Sequence, residues 1–103
     1  GRADQLLGLQ VTDLDAAAIK RANLPDAIVG VIVSGVDPAG PARAVPIKEG
    51  QILLEVNRQR VASAAEFRAI VSALRPGMPV ALFIYDPASR QRLLYALVTD
   101  PSS

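Results

Sequence analysis

The chain has 103 residues, 50% hydrophobic and 4% aromatic, which suits one compact domain over 1–103 with a core of closely packed Ala, Val, Ile and Leu and leaves no room for a protease domain. Eleven basic and ten acidic residues give a net charge of +1, so bulk electrostatics offer no attraction to nucleic acid or to an anionic membrane. Histidine and cysteine are both absent, which excludes Ser-His-Asp and Cys-His catalysis, disulfides and the usual zinc and iron sites from within the chain.

Taken in order, Leu6 to Val11 is a short apolar stretch that predicts a strand, and Gly8 inside it marks a place where another backbone approaches closely. Asp15 reads as the N-cap of a helix from Ala16 to Asn23, with Leu14 and Ile19 as a hydrophobic staple and Pro25 beyond the end. Ile28 to Val36, rich in β-branched residues, predicts a buried strand that ends in the turn Asp37-Pro38-Ala39-Gly40-Pro41. Pro41 suits the start of a short helical turn through Ala44. Gln51 to Asn57 alternates as a strand does, and Asn57 to Arg60 should turn so that Val61 re-enters the sheet.

Ser63 to Arg75 carries the clearest helix signal. Ser63 and Glu66 form a capping box, Phe67, Ile70, Val71 and Leu74 make one apolar face, Arg75 falls in the last turn, and Pro76-Gly77 stops the helix. Strands over Pro79 to Tyr85 and Arg92 to Thr99 follow, joined by a hairpin loop over Asp86 to Ser89. The order predicts an α+β, mainly β, architecture: a small sheet, sandwich or partly open barrel of about five to six strands with two helices packed against it.

The chemistry that remains is sparse. Asp13 and Asp15 are the one close carboxylate pair, and helix capping accounts for them better than metal binding or acid-base work. Lys20 and Lys48 could each serve a serine as base, but no Gly-flanked nucleophile motif surrounds any serine. Neither GxGxxG nor GxxxxGK[ST] occurs, so no nucleotide site is expected. Arg58 with Arg60 and Arg90 with Arg92 fall in predicted turns without interleaved aromatics, and read as solvated loop charges. No cofactor and no metal are expected. No apolar run approaches the roughly 20 residues needed to span a bilayer, so no membrane insertion is expected. A chain beginning at Gly1 is expected to reflect a processed or cloned boundary.

The segments Gly30-Val-Ile-Val-Ser-Gly-Val-Asp-Pro-Ala-Gly-Pro-Ala-Arg-Ala and Ile47-Lys-Glu-Gly-Gln-Ile-Leu-Leu-Glu-Val-Asn-Arg-Gln resemble the PDZ pattern: a strand, a small-residue and Pro turn, a short helix, then a Gly-led strand ending at Val-Asn. Phe67, Leu74 and Arg75-Pro-Gly continue it, so the likeness covers almost the whole chain. The strand placed before this unit resembles the bacterial arrangement, and Asn57-Arg58-Gln59 is similar to the second PDZ domain of HtrA-like (Deg-type) periplasmic serine proteases. Val45-Pro46-Ile47 and Gly50-Gln51 depart from the Ala-Gly-Leu and Gly-Asp usual there, away from the expected groove.

The resemblance implies a non-catalytic module that binds polypeptide C-termini or unfolded segments by strand addition and serves a linked protease domain in the periplasm or cell envelope. Leu6, Leu7, Gly8 and Leu9 match the apolar carboxylate-binding loop, and Leu9, Gln10 and Val11 the edge that pairs with the peptide. Leu7, Leu9, Phe67 and Val71 would select side chains, with Ala64 and Arg68 on the rim; Ala64 stands where many PDZ domains carry His, and favours an apolar side chain two positions before the peptide's end. Affinities on the order of micromolar or weaker are expected. A Gly8→Val change is expected to block backbone approach while sparing the core. Two other uses fit the same fold: an oligomer-contact module, or a PDZ domain of a membrane-embedded, tail-specific or secretion-system protein.

Overall fold

A computed structural model describes residues 6–25 and 27–101. In chain order the elements are β1 (Leu9–Asp13), α1 (Ala16–Arg21), β2 (Val31–Val36), a 3-10 turn (Pro41–Ala44), β3 (Ile52–Val56), β4 (Gln59–Arg60), α2 (Ala64–Ser72), β5 (Pro79–Asp86) and β6 (Gln91–Val98). The strands form one antiparallel sheet in the order β1-β2-β3-β5-β6, with β4 hydrogen-bonded to β3. The sheet is not closed, so β1 and β6 are edges, and the mainly β, two-helix architecture expected from the sequence is the one observed.

Both faces of the sheet are used. One face carries the larger core, in which Val31, Val33, Leu53, Val56, Leu82 and Ile84 pack with Phe67 and Val71 of α2 and with Leu6, Leu7 and Leu9. The other carries a smaller cluster of Leu24, Ile28, Ile52, Leu54 and Tyr85, against which Leu14 and Ile19 pack. Alternate residues of β3 therefore point into different cores, which explains why Ile52, Leu53 and Leu54 are buried in succession. Beyond this second cluster the outer face of the β5–β6 ribbon is open, with Leu94 69% and Val98 54% exposed.

Helix α1 begins where the sequence places it: the Asp15 carboxylate accepts from the Ala18 N–H at 2.8 Å, and the helix is six residues long. It ends at Arg21 rather than Asn23, because Asn23 turns into the left-handed region at φ +53°. A helix this short draws its stability from its cap and its packing, not from propagation. Asp15→Ala is expected to cost about 1 kcal/mol, read as a lowered urea midpoint at an unchanged slope; an unchanged midpoint would mean that the cap is idle.

Several boundaries differ from expectation. Leu6 and Leu7 lie in a helical turn and the first strand starts at Leu9 and runs on to Asp13; a Leu-Leu-Gly-Leu run is too short for periodicity to separate helix from strand. Ile28 is buried but precedes β2, which starts at Val31. Asn57 and Arg58 turn at φ +49° and +69°, while Gln59 and Arg60 already form β4. Val61 does return to the sheet, donating its N–H to the Leu54 carbonyl at 3.0 Å. Arg60 and Arg92 thus lie on strands rather than in turns, exposed as expected.

Helix α2 stops at Ser72, with Ala73 as C-cap, so Arg75 lies outside it. Its last bonds, Ala73 N–H to Ile70 and Leu74 N–H to Val71, span three residues, the tightened geometry of a fraying end. The capping box forms with a shift: Ser63 Oγ accepts from the Glu66 N–H at 3.1 Å, but the Glu66 carboxylate accepts from Ala62 N–H at 3.3 Å rather than from Ser63. Gln51, which replaces the usual Asp, is buried and its side-chain oxygen accepts from the Lys48 N–H at 2.9 Å, closing the turn before β3.

Candidate functional site

Among the described residues strand β1 has one hydrogen-bonded neighbour, β2, so its other edge is open there; α2 packs against β1 and β3. The two elements run past each other in opposite directions. At one end Asp13, the last residue of β1, uses its Oδ1 to accept from the Ala64 N–H, the first of α2, at 2.7 Å. At the other end Leu6 accepts from the Asp100 N–H at 3.0 Å, and the neighbouring Thr99 donates its hydroxyl to the Arg75 carbonyl at 2.9 Å. An open strand edge, a helix and the loop entering β1 thus lie side by side.

That loop is fixed from behind. Gly8 has φ +72°, and its carbonyl accepts from the Asp37 N–H at 2.8 Å. Asp37 in turn shapes the following turn, accepting from Ala39 N–H on its carboxylate at 2.9 Å and from Gly40 N–H on its carbonyl at 3.0 Å. A Cβ built on Gly8 would lie 2.9 Å from Gly40 Cα, and one on Gly40 2.7 Å from Gly8 Cα. The close backbone approach foreseen at Gly8 is therefore made by Gly40 of the same chain. The expectation that Gly8→Val would spare the core is corrected accordingly.

The remaining candidates separate by exposure. Leu6, Leu7, Leu9, Phe67 and Val71 have no exposed surface; they are part of the main core. Ala64 is buried at the Asp13 end, Val11 is half-buried, and Arg68 is exposed one turn along α2 from Ala64. Gln10 is exposed on the opposite face of β1, its side chain lying across Gly35, where a Cβ would meet its Oε1 at 2.7 Å. Its backbone, not its side chain, borders the open edge.

Sequence reading missed two residues. Asp13 and Asp15 are both helix caps, as expected, but Asp13 caps α2, 51 residues away, which no local pattern signals. Thr99 is 1% exposed and also accepts from the Met78 N–H at 3.1 Å, tying the chain after α2 to the end of β6. Among the described residues no group of His, Cys, Asp and Glu could hold a metal ion, and no helix is long and apolar enough to cross a membrane.

Comparison with known proteins agrees with this geometry. The family model described as PDZ domain matches residues 5–92. The magnetosome formation protease MamE of Magnetospirillum gryphiswaldense is 32% identical over 99% of the chain, which spans 13% of that protein. A probable periplasmic serine protease do/HhoA-like of Haemophilus influenzae is 31% identical over 95% of the chain and 21% of its own length, and a probable periplasmic serine endoprotease DegP-like of Chlamydia trachomatis is 33% identical over 65% of the chain and 14% of its own length. The chain thus spans about a fifth or less of these relatives.

Among solved structures, the HtrA-type protease AlgW with a decapeptide superposes with a TM-score of 0.80 at 21% identity, covering 91% of this chain and 28% of that one. The HtrA3 PDZ domain bound to a phage-derived ligand, FGRWV, gives 0.74 at 19% identity, covering 91% of this chain and 83% of that one. The family match, the open antiparallel sheet and the free edge of its first strand beside α2 lead to one statement: the chain belongs to the PDZ-domain family, and its relatives are HtrA/DegP-type serine proteases.

Proposed function

We propose that the chain is a peptide receptor that takes up the C-terminal segment of a polypeptide as an added strand between β1 and α2. The observation that carries this reading is the open edge of β1, which runs beside α2 and starts from the buried apolar loop Leu6–Leu9. Strand addition supplies main-chain hydrogen bonds worth about 0.5 to 1.5 kcal/mol each whatever the ligand's sequence. The backbone N–H groups of the loop would receive the terminal carboxylate, and a terminal Leu, Val or Phe would pack toward Leu7, Leu9, Phe67 and Val71 for roughly 1.5 to 3 kcal/mol. Because those four side chains are closed over, the ligand's last side chain must part them.

The receptor belongs to a larger serine endopeptidase, to which it recruits or signals substrates. The linked protease domain, the unfolded or C-terminal polypeptide partners and the periplasmic location are supported by relatives whose names state a periplasmic serine protease and by neighbours solved with peptides. Catalysis is assigned to that other domain.

Titration with a peptide ending in an apolar residue and with its C-terminally amidated twin tests the reading. Micromolar or weaker binding is expected for the free acid and a loss of at least about ten-fold on amidation, which removes the charge-assisted hydrogen bonds. Equal binding of the two forms, or no binding of either, would overturn it.

A further inference from the structure

Side chains alternate along a strand, so Asp13 shares the α2 side of β1 with Leu9 and Val11, and its bond to the Ala64 N–H confirms that side. It is exposed. One oxygen bonds the helix; a carboxylate offers about four acceptor positions on its two oxygens, which leaves capacity for a ligand. Arg68, four residues beyond Ala64 on the same line of α2, is also exposed and stands closer to the Gly8 end. The site is therefore negative at the end remote from the loop and positive nearer its middle, with the small Ala64 between the two charges.

We propose that the groove reads the order of charges along its ligand. This rests on the peptide-receptor reading above. A strand antiparallel to β1 with its C-terminus at the Leu6–Leu9 loop sets its last residue against Leu9, its third-from-last against Val11 and its fifth-from-last against Asp13. Asp13 then takes a Lys or Arg at the fifth-from-last residue, and Arg68 takes an Asp or Glu at the third-from-last. Asp13 thus has two tasks, holding α2 in place and selecting a cation.

Two peptides of identical composition and the same apolar C-terminal residue decide it, one with the basic residue fifth from last and the acidic residue third from last, the other with these exchanged. The first is expected to bind on the order of ten-fold more tightly at low salt, as two exposed pairs with matched against mismatched charges allow, and the difference should shrink at high salt. Asp13→Asn keeps an acceptor for the Ala64 N–H and removes the charge, so it should leave the melting temperature nearly unchanged while lowering the preference several-fold. A peptide with Gln in place of the basic residue gives the same readout from the ligand side, whether or not the variant folds. Equal affinities of the two peptides, or a preference untouched by Asp13→Asn, overturn the charge-order proposal and leave the receptor reading standing. Failure of both peptides to bind overturns the receptor reading and this one with it.

Discussion

Phe67→Ala is expected to lower stability by about 3 to 5 kcal/mol. Phe67 has no exposed surface and packs on the same core as Val33, Leu53 and Leu82, so the truncation removes a ring's worth of transfer free energy and leaves a cavity that neighbours on rigid strands refill poorly. Its helix is nine residues long, shorter than the roughly 12 to 15 residues an isolated helix needs in water, so α2 exists because Phe67, Val71 and Ala64 hold it down. Against a typical total of about 5 to 15 kcal/mol, the loss is a large fraction. A urea titration should show a lower midpoint at an unchanged slope. A decrease below about 1 kcal/mol would contradict the packing described, because surface substitutions produce changes of that size.

Gly8→Val is expected to be nearly as damaging, at roughly 3 kcal/mol. Two effects add: a β-branched residue at φ +72° pays about 1 to 2 kcal/mol for the left-handed conformation, and its Cβ falls 2.9 Å from the Gly40 Cα, a backbone atom that cannot swing aside. Gly40→Ala isolates the second effect, because Gly40 has an ordinary φ of −94° while its Cβ would come 2.7 Å from Gly8 Cα. It should cost about 1 to 3 kcal/mol, in the range of overpacking. The double variant should depart from the sum of the singles, as residues sharing one contact do. If Gly8→Val melts where the parent does, the Gly8–Gly40 contact is not part of the folded state. Loss of peptide binding in Gly8→Val would report a displaced loop and not a ligand turned away.

Most elements were legible because their signals are local: the β-branched run of β2, the alternation in β3, the Asp15 and Ser63 caps, and the Pro76-Gly77 pair between α2 and β5. The Leu6–Leu7 turn was misread because four residues carry no period. The end of α2 was set too far because Pro76-Gly77 marks where a helix must stop, and this one relaxes earlier into three-residue bonds at Ala73 and Leu74. The site was half visible. Its apolar residues and Arg68 could be named from the chain-long resemblance, but what lies beside Gly8 depends on Gly40, and the role of Asp13 depends on a bond across 51 residues. Long-range pairs of that kind leave no trace in spacing.

Helix α2 and the residues that follow it are fastened at both ends, by Asp13 to Ala64 and by Thr99 to Arg75, with bonds of about 0.5 to 1.5 kcal/mol each. A wall pinned at its two extremities cannot swing on a hinge. It can only roll or bow, small shear displacements spread over several packed side chains. Entry of a guest residue therefore draws on the elasticity of the core itself, so the site resembles a taut string more than a door, and guests should be sorted by how little they make it stretch.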